Sequence, residues 1–251
     1  MIYVMSDLHG MYSSYLKMLR KIHFCDADTL YILGDVIDRG PQPIQILQDM
    51  MLRPNVYPLF GNHEWMAMQC LDWITEEITD TFLASLDTER LIHLADWMGN
   101  GASTTLAGYA ALTKDAKADL LDYLCEFLAY EELYLNGQTF LLVHAGLGNF
   151  DPDKALTEYT IDELVWKRPN LEKPYFDDPN RHVVVGHTPT LMLTGKPEVF
   201  TSNGCSFIDC GACFDVGRLA CLCLDTMQAY YVRRLLLAVF LLYFKKARWS
   251  L

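Results

Sequence analysis

Three short polar motifs, each directly after an apolar run, constrain this chain more than any other feature. Asp7-Leu8-His9-Gly10 follows the run at 2–5, Gly34-Asp35-Val36-Ile37-Asp38-Arg39-Gly40 follows 31–33, and Gly61-Asn62-His63-Glu64 follows 56–60. Short apolar runs closed by turn residues predict buried strands, with the polar residues emerging where each strand ends. Roughly twenty-five residues separate successive motifs, room for one helix and the next strand of a βαβ unit. Both gaps hold a helical pattern. Residues 13–22 carry Tyr15, Leu16, Met18, Leu19 and Ile22 at helical spacing, and 43–52 opens on Pro43, which suits a first helical turn. The chain is therefore expected to return three times to one sheet edge. Ligands of open α/β sheets bind beyond the carboxyl ends of the strands, so Asp7, His9, Asp35 and Asn62 are expected to share a cavity.

Two later histidines extend the set: His144 ends the run at 139–143, and His187 follows Val183-Val184-Val185-Gly186. Carboxylate, imidazole and amide donors without thiolates suit Mn²⁺, Fe or Zn²⁺. Six candidate ligands are too many for one tetrahedral ion and suit two ions sharing a bridge, for which Asp35 is the candidate.

Asp7-x-His9, Gly34-Asp35-x-x-Asp38-Arg39-Gly40, Gly61-Asn62-His63-Glu64, His144-Ala145-Gly146 and Gly186-His187-Thr188-Pro189 stand in order along the chain, followed through Trp166-Lys167-Arg168 and Ile208-Asp209-Cys210-Gly211-Ala212. Together they resemble the phosphoprotein phosphatase branch of the calcineurin-like metallophosphoesterases, and within it the small bacterial and phage serine/threonine phosphatases. The resemblance implies a metal-dependent phosphoric ester hydrolase with two divalent ions, manganese first, with iron or zinc as alternatives. It implies Asp7, His9 and Asp35 on one metal, and Asp35, Asn62, His144 and His187 on the other. It implies His63 as proton donor to the leaving group, oriented by Asp38, with Arg39 and Arg168 beside Asn62 gripping the phosphoryl oxygens through rigid paired donors. Metal-bound water would attack phosphorus directly, without a phosphoenzyme. Four metal charges against two carboxylates leave a site attractive to phosphate even in a chain of net charge −12.

The expected substrate is a phosphorylated serine or threonine of a protein. The alternative is a phosphorylated small molecule or nucleotide, above all a dinucleoside polyphosphate such as diadenosine tetraphosphate. A phospho-ligand-binding scaffold without turnover is a third reading, disfavoured by the intact His63, Asp38 and Arg39, since binding needs no proton donor. Two departures bear on this choice. Phe60 stands where many relatives have arginine, and would either face a nucleobase near the mouth or pack as an ordinary core ring. Cys210 replaces a common threonine and is expected to pack. Each ligand candidate taken alone could serve merely as a strand-end turn residue, but five blocks in register outweigh that reading. Glu64 is expected either to orient a neighbouring residue of the site or, as the favoured reading, to open the helix that follows, where an acid suits the first turn. His23, His93 and His182 fall outside the blocks and are expected to be surface or packing residues.

With 51% hydrophobic residues over 251 positions, the chain can bury a substantial core. The motif register argues for one metallophosphoesterase domain over 1–232, with a helical insertion at about 65–132, broken at Gly99-Asn100-Gly101, forming a cap beside the cleft. Asn136-Gly137 predicts a hairpin, and 207–209 and 219–225 suggest further strands. The pattern alone supports mixed α/β, and the resemblance makes it a two-sheet β-sandwich flanked by helices with a helical cap. No signal peptide precedes the first strand, so a reducing cytoplasm is expected for the eight cysteines. Cys210-x-x-Cys213 is read as packing thiols more than as a zinc pair. The tail at 233–251 has an apolar run, 235–244, between Arg233-Arg234 and Lys245-Lys246. It is too short to span a bilayer and is expected to dock as a terminal helix, with membrane-surface contact as the alternative. The acidic balance disfavours nucleic acid as a partner.

Overall fold

Two five-stranded sheets face each other, as the computed structural model shows for residues 1–74, 79–80 and 86–233. The first has the order β10-β9-β1-β2-β3, with β1 Ile2–Met5, β2 Thr29–Ile32, β3 Val56–Pro58, β9 Arg218–Cys223 and β10 Gln228–Arg233. The second runs β4-β5-β6-β8-β7, with β4 Tyr130–Leu135, β5 Gln138–Val143, β6 Arg181–Val185, β7 Phe200–Ser202 and β8 Cys205–Phe207. In each sheet three strands are parallel, β1, β2 and β3 in one and β5, β6 and β8 in the other. Antiparallel strands fill the remaining places.

The apolar runs divide by the two-residue period of a strand. Val4, Tyr31 and Leu222 of the first sheet meet Phe140, Leu142 and Val184 of the second between the sheets. Their neighbours Tyr3, Met5, Leu30, Ile32, Cys221 and Cys223 point the other way, under α1 (Tyr12–Lys21), α2 (Pro43–Met51) and α3 (Asn62–Ile74). Leu141, Val143, Val183 and Val185 form a third core on the outer face of the second sheet. Strands buried on both faces must be apolar throughout, which is why they read as unbroken runs.

The helices α4 (Thr88–Gly99), α5 (Ser103–Ala110) and α6 (Lys114–Cys125) sink Trp97, Ala102, Tyr109, Leu120 and Leu124 into the core under α1 to α3. This stretch thus completes the outer face of the first sheet as well as flanking the cleft. The helical pattern expected to 132 stops at Cys125, and Tyr130 already pairs with Val143. Tyr130-Glu131-Glu132 reads as helix locally, but pairing with the buried β5 decides. The hairpin forms as expected, Asn136 and Gly137 both taking positive φ, 51° and 81°, between the paired Leu135 and Gln138. Two short helices, α7 (Ile161–Val165) and α8 (Thr190–Thr194), lie among the loops of the second sheet. No helix among the described residues is long and apolar enough to cross a membrane. Beyond Arg233, the apolar and basic tail lies outside the described residues.

Candidate active site

All six parallel strands release their chemistry at one edge. Asp7 follows β1, Asp35 follows β2, Asn62 follows β3, His144 follows β5, His187 follows β6 and Asp209 follows β8. The backbone there is unusual: Asp7, His9, Asp35, Asp38, Arg39 and His187 all have positive φ, between 41° and 68°. A non-glycine residue pays of order 1–3 kcal/mol for such a conformation and keeps it only when its surroundings impose it. Here the loops hold each other, with Asp7 N–H donating to the Gly34 carbonyl (3.1 Å), His9 N–H to Asp35 (2.8 Å) and Gly10 N–H to Val36 (2.8 Å). Approach is so close that a Cβ on Gly34 would overlap the backbone nitrogen of Gly61.

Glu64 locks this arrangement. Its side chain is fully buried, one oxygen accepting from Asp35 N–H (2.8 Å) and Gly61 N–H (3.0 Å), the other from Val36 N–H (2.8 Å) and Ile37 N–H (3.2 Å). The first-turn role expected for it is real but secondary. Four loop amides with no strand partner converge on one carboxylate, and satisfying buried N–H groups outweighs a surface dipole term.

Asp35 lies at the centre of the imidazoles. Its carboxylate is 3.6 Å from His9 Nε2, 3.8 Å from His63 Nε2 and 3.4 Å from His144 Nε2. Two donor groups share it: His9, Asp35 and His63 in one, and Asp35, His144 and His187 in the other, the donor atoms of each lying within 4.8 Å of one another. Asn62 Oδ1 joins the second at 3.0 Å from His144 Nε2 and 2.9 Å from His187 Nδ1. Asp7 stands outside both groups. Its carboxylate accepts from the Ser6 hydroxyl and from the His187 backbone N–H (3.0 Å).

The ring protons follow from the partners. A carbonyl oxygen only accepts, so His144 Nδ1 must donate to Leu33 O, and His9 Nδ1 must donate to Ile37 O (3.0 Å). The Nε2 atoms of both are left as lone pairs, and burial keeps these imidazoles from protonating, pushing His9 and His144 well below the usual histidine range. His187 is held down to about 4, by burial first and then by the charge of Arg168. The lone pair of His144 therefore meets Asn62 Oδ1 and the Asp35 carboxylate with no proton among them, the arrangement a divalent cation satisfies.

The carboxylates agree with this. Burial raises Asp7, Asp35 and Glu64, and Asp209 to about 6; the neighbouring charge of Asp209 adds to the rise of Asp7, and that of Asp7 to the rise of Asp35. Like charges gathered away from water are what a dication neutralises. Nitrogen and oxygen donors, neutral imidazoles and a shared carboxylate fit a pair of divalent ions.

His63 differs from the other rings. Its Nδ1 lies 2.6 Å from Asp38 Oδ2, and that carboxylate is itself fixed by Trp97 Nε1 (2.8 Å) and the Thr105 hydroxyl (2.5 Å). The Thr105 oxygen also accepts from Asp38 N–H (2.9 Å). Arg39 spans the cluster, one Nη 2.7 Å from His9 Nε2 and the other 2.9 Å from His63 Nε2, with its own N–H on the Gly101 carbonyl (3.0 Å). Arg168 is exposed beyond His187.

Sequence reasoning missed Trp97 and Thr105, and ranked the inward role of Glu64 second. Nothing local marks the first two, which lie 59 and 67 residues beyond Asp38. A fully buried first-turn glutamate leaves no periodic signal either. Phe60 packs half-buried against Phe127 and Trp65, with ring centroids 5.7 Å and 6.5 Å away. Cys210 is buried beneath Thr190, and burial pushes its thiol up to about 12. His23 is exposed, and His182 stacks on Phe140 at 5.3 Å.

A family model described as calcineurin-like phosphoesterase matches residues 1–213. Serine/threonine-protein phosphatase 1 of Salmonella typhimurium is 28% identical over 219 residues, 85% of this chain and 87% of that protein. A symmetrical bis(5'-nucleosyl)-tetraphosphatase of Buchnera aphidicola is 32% identical over 98 residues, 37% of this chain and 36% of that protein. The match to the tetraphosphatases thus spans about a third of their length. A solved structure presented as a candidate diadenosine tetraphosphatase superposes with a TM-score of 0.62 at 15% identity over 92% of both chains, a likeness of fold.

Proposed function

The chain belongs to the calcineurin-like phosphoesterase family, and on that premise we propose that it is a metal-dependent phosphoric ester hydrolase acting on phosphoserine and phosphothreonine in proteins. The His63–Asp38 pair carries this reading. Serine and threonine leave as alkoxides, which need a proton at the moment the P–O bond breaks. A nucleoside diphosphate leaving from a tetraphosphate is already a stable anion and needs little such help. A ring held at 2.6 Å by a carboxylate that is itself fixed from two sides is suited to the harder leaving group. The likeness to the Salmonella phosphatase over most of both chains supports the same choice.

Asp7, His9 and Asp35 would hold one ion, and Asp35, Asn62, His144 and His187 the other, with manganese first and iron or zinc as alternatives. His63 lies as close to Asp35 as His9 does, but the partners separate their roles. A backbone carbonyl opposite Nδ1 suits a neutral ligand, whereas a carboxylate there suits a ring that gives up a proton from its other nitrogen. Bound together, the ions would polarise the phosphoryl group and make water nucleophilic near neutral pH. The side chains do the rest. Arg39 now donates to His63 Nε2, so His63 can carry a proton there only when the guanidinium moves away. A phosphoryl group that takes both Nη atoms makes that move, leaving His63 Nε2 to face the departing oxygen. Arg168 and Asn62 would complete the grip. The eight cysteines, none in a disulfide, suit a reducing compartment, for which we propose the cytoplasm.

The second reading, hydrolysis of dinucleoside tetraphosphates, draws on the relatives named for that activity. One experiment separates the two: phosphate release with Mn²⁺ from phosphoserine and phosphothreonine peptides and hydrolysis of diadenosine tetraphosphate, side by side, with Asp35→Asn as control. Peptides should be cleaved more efficiently, and the control should fall to background. Preference for the dinucleotide would replace this proposal with the second reading.

A further inference from the structure

A groove of about 390 Å³ is lined by Trp65, Gln69, His93, Asp96, Asn100, Asp162 and Trp166. Three of these residues connect it to the active site, one by contact and two by their place in the chain. Trp65 stands three residues after Asn62 on α3, Trp166 meets His187 edge-on at 6.1 Å, and Asn100 precedes Gly101, whose carbonyl holds the Arg39 backbone. Trp166 is 38% exposed, and Trp65 donates its indole N–H to Asp162 Oδ1 (3.2 Å). The side chains of Gln69, His93 and Asp96 make no hydrogen bond among the described residues. Among the described residues, the lining has two carboxylates, two indoles and no lysine or arginine.

Indole faces beside exposed carboxylates are complementary to an organic cation. A nucleobase would find the same rings, but its polyphosphate would be drawn along two negative charges. We infer that this groove receives a lysine or arginine side chain flanking the phosphorylated residue, so that the enzyme favours basic phosphopeptides. The inference rests on the phosphoprotein reading above and names its substrate class. The groove supplies a cation–π contact and ion pairing with Asp96 and Asp162, while the phosphate stays with Arg39 and Arg168. Both carboxylates are solvent-exposed, so the gain is modest and falls with salt.

The test compares phosphoserine peptides with arginine, alanine or glutamate at the flanking positions, in the wild type and in Asp96→Asn and Asp96→Glu variants. The wild type should favour arginine over alanine by about fivefold to tenfold in kcat/KM, mostly through KM. Asp96→Asn should bring that ratio down towards one, and Asp96→Glu should restore most of it. Turnover of the alanine peptide reports that each variant is folded. If all three peptides are cleaved equally by the wild type, the groove has no such role and the phosphatase reading stands. If the preference survives in Asp96→Asn, the cation binds elsewhere and the assignment to this groove is overturned. If no peptide is cleaved while diadenosine tetraphosphate is, both readings fall together.

Discussion

His63 and His187 belong to the two donor groups that share Asp35, yet the chain secures them in different ways. His63 is fully buried, and its Nδ1 faces a carboxylate that Trp97 and Thr105 fix in turn. His187 is only part-buried, with Asn62 Oδ1 at its Nδ1 and the edge of a half-exposed indole alongside. Arg39 follows the same division, its backbone tied to Gly101 while Arg168 stays exposed. On the proposed mechanism a proton would be delivered along one line at one moment, which a half fixed in advance would serve. On the phosphoprotein reading proposed above, the other half would meet a substrate that arrives in varied sequence contexts, and it is left open. The tight half borrows its rigidity from α4 and α5, the loose half from short loops around α7.

The largest break in this contrast should come from His63→Asn. Turnover of phosphoserine peptides should fall by about 10²- to 10⁴-fold, the usual range for a general acid. An aryl phosphate with a stabilised leaving group should lose far less, and Mn²⁺ titration should show the ions still bound. Equal losses on both substrates would assign His63 to the metals rather than to the proton.

A smaller effect should follow from loosening the tight half at its support. Thr105→Val removes both hydrogen bonds to Asp38, without touching any residue of the metal cluster. We expect a loss of about tenfold in kcat, in the range for outer partners of catalytic groups. Denaturant titration should show about 1–3 kcal/mol less stability, since buried polar atoms lose their partner. An unaltered kcat would mean that Asp38 needs no help from the helices.

The smallest effect is expected in the loose half. Glu163, in α7, accepts from Lys154 Nζ (2.9 Å) and Asn149 Nδ2 (2.8 Å) and completes a capping box with Thr160. Lys154 first, then Asn149, hold its carboxyl down to about 2. Its folded pKa lies below the unfolded value, so the stabilisation is present above about pH 4.5 and is lost as pH falls towards 2. Acid unfolding followed by circular dichroism should therefore lose part of its pH slope in this window in Glu163→Gln, with activity at neutral pH little altered.

The site's centre was legible because each ligand candidate follows an apolar run, and a buried parallel strand can be little else. Those runs place Asp7, Asp35, Asn62, His144 and His187 at one edge. The two-sheet arrangement came only with the family resemblance, since period-two alternation is hidden when both faces of a strand are buried. The supports of Asp38 were illegible for another reason. Trp97 and Thr105 lie on helices whose exposed faces carry the stronger pattern, and their partner is set by how α4 and α5 fold back. The two readings of Glu64 were ranked in the wrong order, because first-turn acids usually face water. At β4, the adjacent Glu131 and Glu132 imitate a helix end until β5 supplies the pairing.

The four amides gathered by Glu64 place an irregular loop in unexpected company. Connecting loops usually trade their amide protons with water long before strands do. The protons of Asp35, Val36, Ile37 and Gly61 point into a sealed carboxylate, so solvent reaches them only when α3 lifts from the sheet. On the exchange timescale this loop should therefore belong with the slowest part of the molecule, the centre of the site opening only as the fold around it opens.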